Sequence, residues 1–139
     1  MDPNSLAFVA PPELIQAISR CSMPVNCIED RELFHRGDNP VGLYILQSGR
    51  ATMALEGASA ERMFRVPVAP ESLLGLPALS GDEPYFMTAV AHAGAVLGFV
   101  TRDVFSRLML SEPKLALMIV QMLAAEVRSA RGALSAFVL

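Results

Sequence analysis

Apolar residues recur along the chain with two different periods, and these periods divide it into three regions. Helical spacing over about 11–20 and again over about 112–137 predicts a helix in each region. Between 25 and 105 the apolar runs are short or alternating, which predicts strands. The first helix begins with two prolines, and its apolar residues are Leu14, Ile15 and Ile18. The pattern as a whole predicts a mainly β architecture with flanking helices.

Turn signals punctuate the central region at a spacing of roughly ten residues, which is typical of a β sandwich or barrel. They include Gly-Asp, Ser-Gly and Ala-Gly pairs between the apolar runs. The predicted strands are Leu43–Leu46, Ala51–Leu55, Met63–Val68, Met87–Ala91 and Ala95–Val100. We expect them to form one compact unit, so that 1–139 is a single domain.

The longest uncharged run extends from Pro84 to Thr101 and is long enough to suggest a membrane span. Pro84, Gly94 and Gly98 interrupt it, and its Thr, Ala and Val residues alternate. This composition favours two short strands around an Ala93-Gly94 turn. We therefore expect no membrane partner.

Two polar segments predict the starts of the closing helices. Thr101-Arg102-Asp103 is typical of a helix N-terminus, and that helix is expected to end near Leu110. In Ser111-Glu112-Pro113, Ser111 is the predicted N-cap of the last helix, with Pro113 in its first turn.

The last helix is apolar over an unusually wide arc. Leu115, Met118, Met122 and Ala125 form one stripe, and Ile119 and Leu123 begin another. One stripe would cover the β domain, and in so small a domain the second favours a helix-to-helix seam between two copies. The alternative is a helix fully buried in its own domain. The predicted dimer residues are Met118, Met122, Ala125 and Ser129.

Composition and charge exclude several classes of protein. A length of 139 residues suits one domain, and 53% hydrophobic residues argue against intrinsic disorder. The net charge of −3 provides no field for a polyanion, so no direct nucleic-acid partner is expected. The first residues lack the basic start and apolar run of a signal peptide, which predicts a cytoplasmic location.

Candidate reactive residues are few. Cys21 and Cys27 are too few for a disulfide scaffold or an iron–sulfur cluster and are interpreted as small buried hydrophobes. His35 and His92 are the only histidines, and no metal-ligand set or nucleophile motif accompanies them. Both are interpreted as surface or hydrogen-bonded residues. No enzyme activity, metal or cofactor is expected.

The most specific segment extends from Glu32 to Ala51. It consists of a strand, a Gly37-Asp38 turn, the strand Leu43–Leu46 and a Ser48-Gly49 turn. In these features it resembles the cyclic nucleotide-binding domain family, as found in catabolite-activator-type bacterial regulators. The resemblance covers about 10–130. It implies a double-stranded β-helix or jelly roll, the β-roll, followed by a long C-terminal helix.

The resemblance also implies a phosphate-binding cassette in the segment from Val68 to Leu79. In the family, a Gly lets the backbone approach the ligand, the next residue is a Glu that binds the ribose, and an Arg farther on pairs with the phosphate. Gly75 matches the Gly, but Leu76 stands at the Glu position and Tyr85 at the Arg position, or Phe86 if the loop is one residue longer. The candidate ligand-binding residues are Leu74, Gly75, Leu76, Pro77, Ala78, Tyr85, Phe86, Met87 and Thr88.

These replacements predict weak binding of cyclic AMP. Two charge-assisted bonds are missing, each worth about 1.5–3 kcal/mol. Acidic Asp82 and Glu83 nearby would also repel a phosphate. A pocket of leucine, proline and aromatic side chains suits an apolar or weakly polar ligand, or none.

Three functional hypotheses follow. The first is a ligand-sensing or regulatory module in bacterial signalling, dimeric through its C-terminal helix, with a small molecule or a protein as partner. The second is the sensory half of a transcription regulator without its DNA-binding domain. The third is a ligand-free dimerisation module. A pocket filled by the chain's own side chains would favour the third hypothesis, whereas an open cavity under Gly75 would not.

Overall fold

The computed structural model describes residues 8–56 and 63–138. Its strands are β1 (Phe8–Val9), β2 (Met23–Asn26), β3 (Arg31–Phe34), β4 (Gly42–Ser48), β5 (Ala51–Glu56), β6 (Met63–Val68), β7 (Ser72–Leu74), β8 (Thr88–Ala91) and β9 (Val96–Thr101). Its helices are α1 (Pro12–Arg20), α2 (Leu76–Gly81), α3 (Arg102–Ser111) and α4 (Pro113–Val138).

The strands form two antiparallel sheets. One has five strands in the order β1-β7-β4-β9-β2, and the other has four in the order β3-β8-β5-β6. Except for β5 and β6, neighbours in these orders are far apart in the sequence, as in β3 and β8 or β4 and β9, so the chain winds between the sheets. The prediction of a mainly β roll with flanking helices and a long C-terminal helix is confirmed.

Strand β4 separates two hydrophobic cores. Its residues alternate, as an extended strand requires, so that Tyr44 and Leu46 face the space between the sheets while Leu43 and Ile45 face the helices. We call the first cluster the roll interior and the second the helix-side core. The helix-side core also contains Leu14 and Ile18 of α1, Phe105 of α3, and Leu115 and Ile119 of α4.

The long uncharged run forms two strands that belong to different sheets. Its strands are β8 and β9, and the turn between them contains Ala93 and Gly94, as predicted. Among the described residues, no single helix is long and apolar enough to cross a membrane. Helix α3 and the first part of α4, up to Ala125, are long and apolar enough only when taken together, and the chain bends by 111° between them.

The closing helices differ in part from the prediction. Thr101 caps α3 as expected, because the Val104 N–H donates to its hydroxyl oxygen at 3.3 Å. The prediction of Ser111 as the N-cap of the last helix is wrong. Ser111 is the last residue of α3, and its hydroxyl donates to the Leu108 carbonyl at 3.1 Å, so α4 begins at Pro113 after Glu112.

Helix α4 buries one side within the chain and leaves another open. Leu115 and Ile119 are buried in the helix-side core, and Met118 and Met122 pack partly against it. Of the predicted dimer residues, Ala125 is exposed and Ser129 lies outside the described side chains. Among the side chains of this helix that the structure describes, Leu117 and Val120 are large apolar ones that are strongly exposed, at 57% and 59%.

Candidate functional site

The segment that corresponds to the predicted cassette passes from β7 through Gly75 into α2. Gly75 has a φ of 93°, a left-handed conformation that glycine adopts without the strain of a side chain. A Cβ placed there would lie 3.0 Å from Cε1 of Tyr85. The backbone at Gly75 therefore closely approaches an aromatic ring of the same chain.

Tyr85 fills the space over Gly75. Tyr85 is only 3% exposed, and its ring stacks on the ring of Phe34 with centroids 3.9 Å apart and an interplanar angle of 12°. The hydroxyl donates to the Gly42 carbonyl at 2.7 Å and accepts from the Val41 N–H at 3.2 Å. Both ends of the side chain are therefore satisfied, the ring by stacking and the hydroxyl by the backbone.

The backbone of Tyr85 is anchored as well. Its N–H donates to the Asp38 carbonyl at 3.0 Å, and its carbonyl accepts from the Gly37 N–H at 2.9 Å. The Gly-Asp turn that carried the sequence resemblance thus positions the residue that fills the roll.

The electrostatics of the roll interior do not suit an anion. Among the described residues no charged side chain is buried, and Ser72 is the only buried polar one. Burial raises the pKa of the Tyr85 phenol, which therefore stays neutral. Arg102 lies outside, paired with Asp82 at the end of α2. The part of the chain that the structure describes therefore offers a phosphate no buried cation.

The predicted site residues do not converge on one cavity. Leu74, Ala78, Tyr85 and Met87 belong to the roll interior, and Gly75 lies buried beside them. Pro77 and Phe86 are exposed, and Phe86 is 63% accessible. Thr88 lies on the opposite face of β8, where its hydroxyl accepts from the Arg36 N–H at 3.0 Å.

Leu76 lies on the other side of the sheet. Its side chain is fully buried in the helix-side core, together with Leu79 of the same helix. A carboxylate at this position would meet apolar side chains of the helices and of β4 instead of a ribose in the roll. The leucine therefore has a structural role in joining α2 to the helix-side core.

The histidines both have partners, as predicted. His35 Nδ1 lies 2.7 Å from Glu32 Oε1, and His92 Nε2 lies 2.6 Å from Thr52 Oγ1. Cys27 is buried as predicted, but the prediction for Cys21 is wrong because that thiol is exposed at the end of α1. Among the described residues, no group of three or more His, Cys, Asp and Glu side chains is placed to hold a metal ion.

Sequence reasoning missed the partners of Tyr85. Phe34 and Gly42 lie more than forty positions away, and no local pattern connects them to Tyr85. The sequence contained one signal, which is that Tyr85 stands where the family has an arginine. An aromatic ring in place of a cation implies an apolar neighbour, but the sequence does not identify that neighbour.

The family model described as the cyclic nucleotide-binding domain matches residues 26–112. A search of the curated proteins found no match.

Solved structures share the fold. Thermus thermophilus catabolite activator protein is similar with a TM-score of 0.80 at 20% identity, over 91% of this chain and 60% of that one. The N-terminal domain of a Streptomyces coelicolor A3(2) transcriptional regulator has a TM-score of 0.69 at 20% identity, over 89% and 87% of the two chains. A cyclic nucleotide-binding-like protein from Brucella abortus has a TM-score of 0.58 at 28% identity, over 73% and 86%.

Proposed function

Because the chain belongs to the cyclic nucleotide-binding domain family, we propose that it is a non-enzymatic regulatory module in which Tyr85 occupies the place of the nucleotide. The observation that supports this most strongly is the Tyr85 ring, stacked on Phe34 directly over Gly75. The roll is then held in one conformation by its own side chain. Regulation would pass through its surfaces and its partners instead of through a bound cyclic nucleotide.

The energetics support this proposal. Admitting a nucleotide would break a ring stack worth about 0.5–1.5 kcal/mol and two hydrogen bonds worth about 0.5–1.5 kcal/mol each. The nucleotide would regain little, because the roll interior offers its phosphate no cation and Leu76 offers its ribose no acceptor. Its charge would also be desolvated without a partner, which is unfavourable.

Calorimetric titration with cyclic AMP and cyclic GMP tests the proposal. We expect no saturable binding of either nucleotide up to about 1 mM, with 5′-AMP as the matched control ligand for weak nonspecific heats. Saturable binding of a cyclic nucleotide well below that concentration, without binding of 5′-AMP, would contradict it.

The proposed regulatory surface is a homodimer seam on α4. Leu117 and Val120 expose apolar side chains there, and exposed Ala125 belongs to the stripe predicted from the sequence. Met118 and Met122 of that stripe pack partly within the chain and would border the seam. A second copy would cover this face by helix-to-helix packing.

Light scattering after size exclusion measures the dimer. We expect a mass near twice the 14.9 kDa of one chain. The double substitution Leu117→Glu and Val120→Glu is expected to give a folded monomer, because it places charges in the seam and removes no buried contact of the helix-side core. Gln16→Glu, on the exposed side of α1, is the matched control and should remain dimeric. A monomeric wild-type chain would contradict the proposed seam.

The second candidate function is the sensory half of a transcription regulator. Two observations favour it. The chain shares its fold with the N-terminal domain of the Streptomyces regulator, and its match covers only 60% of the length of the Thermus catabolite activator protein. A helix-turn-helix encoded in frame beyond Leu139 would support it, and an immediate stop codon would count against it. The proposed location is the cytoplasm, where the free thiols of Cys21 and Cys27 would stay reduced.

A further inference from the structure

The outer face of the four-stranded sheet has a hollow of about 330 Å³. Two cross-strand pairs from β5 and β8, the central strands of this sheet, form its floor, namely Thr52 with Val90 and Ala54 with Thr88. These side chains point away from the roll interior, since the residues between them along each strand belong to that core. The floor is therefore a half-buried and largely apolar surface outside both hydrophobic cores.

Longer side chains surround this floor. Glu32 on β3 and Arg65 on β6 line the hollow from the two edge strands of the sheet. The two imidazoles lie at its ends, with His35 Nδ1 3.5 Å from the Thr88 hydroxyl and His92 Nε2 2.6 Å from the Thr52 hydroxyl. Small floor residues within a border of long ones make the site concave. Its volume is at the lower end of the roughly 300–1,000 Å³ of small-molecule sites, so it suits a compact molecule.

The charged and polar groups that line the hollow are engaged within the chain. Glu32 Oε1 contacts His35 Nδ1 at 2.7 Å, and the Thr88 hydroxyl accepts from the Arg36 N–H at 3.0 Å. Arg65 also has a partner of its own. An ion that entered the hollow would lose part of its hydration without gaining a free counter-charge, which is unfavourable. The hollow therefore favours an uncharged molecule.

The planar groups around the floor retain one kind of contact for such a molecule. Both nitrogens of His92 face partners, since Nε2 contacts Thr52 and Nδ1 lies 3.6 Å from the Asp30 carboxylate. A hydrogen bond from the Ala93 N–H lowers the pKa of the Asp30 carboxyl, which keeps it ionised beside His92. Hydrogen bonds of an imidazole or a guanidinium lie in its plane, so a group held in this way can still offer its faces. Aromatic rings pack favourably on such faces.

We propose that this outer hollow binds an uncharged aromatic molecule of the size of a substituted benzene. The apolar floor contacts the ring, and the imidazole and guanidinium groups around the floor pack against it. A saturated ring of the same size keeps the contact with the floor but loses the aromatic packing. A cyclic nucleotide does not match, because its phosphate is charged and the cation of this hollow, Arg65, is already engaged.

The site is independent of the roll interior. Tyr85 and Phe34 lie between the sheets, and the hollow lies on the outer face of one sheet. Binding here would give the module an input that leaves Tyr85 in place. The floor strand β8 is also directly connected, through Thr88, to the segment that carries Tyr85.

Chemical-shift titration of the ¹⁵N-labelled protein tests the proposal, with benzyl alcohol as the probe. We expect saturable shifts of the Thr52, Ala54, Thr88 and Val90 amides in the millimolar range. Cyclohexylmethanol, the saturated counterpart, should bind at least about threefold more weakly because it lacks an aromatic face. Benzoate, the charged counterpart, should bind at least about tenfold more weakly because its carboxylate would be desolvated without a free partner.

A variant that fills the hollow and a matched control locate the site. Ala54→Leu adds an isopropyl group that points into the hollow and should weaken binding at least about tenfold. Ala93→Leu makes the same exchange in the exposed turn between β8 and β9, outside the lining of the hollow, and should bind as the wild type does. Each variant's own amide spectrum shows whether it has folded.

Three outcomes would overturn the proposal. They are no shift of the floor amides by benzyl alcohol up to about 50 mM, equal binding of either counterpart, and unchanged binding by folded Ala54→Leu. Cyclic nucleotide titration reports on the roll interior, so failure of this proposal and failure of the proposed function are recognised separately.

Discussion

Tyr85→Ala is expected to lower the free energy of unfolding by about 3–5 kcal/mol, the range for deleting a large buried ring. The substitution removes the stack on Phe34 and leaves a cavity over Gly75. It also removes the partner of the Gly42 carbonyl and of the Val41 N–H, which lie at the start of β4. Urea unfolding followed by circular dichroism measures the change. A loss below about 1 kcal/mol would show that the ring does not fill the roll.

Tyr85→Phe is the matched control for the ring. It keeps the aromatic face against Phe34 and removes only the hydroxyl, so we expect a loss of about 1–2 kcal/mol. If the phenylalanine variant were as unstable as the alanine variant, the hydroxyl and not the ring stack would account for most of the contribution of Tyr85 to the free energy of unfolding.

Leu76→Glu is expected to have the second large effect, a loss of about 3–5 kcal/mol at neutral pH or failure to fold. The substitution restores the residue type that the family uses for the ribose. In this chain, however, the position is fully buried in the helix-side core, and its carboxylate would have no partner there. Thermal and urea unfolding measure the loss. If the variant were as stable as the wild type and bound a cyclic nucleotide, the placement of Leu76 would be wrong.

A conservative variant and a pH series separate charge from packing at this position. Leu76→Met keeps the volume and should cost less than about 1.5 kcal/mol. In Leu76→Glu, burial raises the pKa of the introduced carboxyl above its unfolded value of about 4.3. The unfolded chain then releases the proton more readily, so the penalty should be smallest below that pH and grow as the pH rises towards neutrality. A penalty that does not change with pH would indicate a packing defect alone.

Much of the fold could be predicted because it follows from local patterns. The alternation in Leu43–Leu46 places two side chains in each core, and the Ala93-Gly94 turn divides an uncharged run into β8 and β9. The start of α4 was harder. Ser111 followed by Glu-Pro has the composition of an N-cap, but its hydroxyl bonds back to Leu108 because α3 extends one residue farther than expected.

The site was predictable only in part, because its decisive contacts are long-range. The sequence indicated that Leu76 and Tyr85 replace a carboxylate and a cation. It did not indicate that they face different cores, since that depends on the direction in which α2 leaves β7 at Gly75. The stack of Tyr85 on Phe34 joins the loop between α2 and β8 to the end of β3, which only the roll brings together.

Nuclear Overhauser contacts between the Tyr85 and Phe34 rings test the central claim most directly. They can be recorded on the intact chain with aromatic ¹³C labelling, first alone and then with about 10 mM cyclic AMP, far above the Kd of a tight complex. Direct ring-to-ring contacts that are unchanged by the nucleotide are the expected result. Absence of these contacts in the free protein, or their loss as cyclic AMP contacts Phe34, would contradict the account.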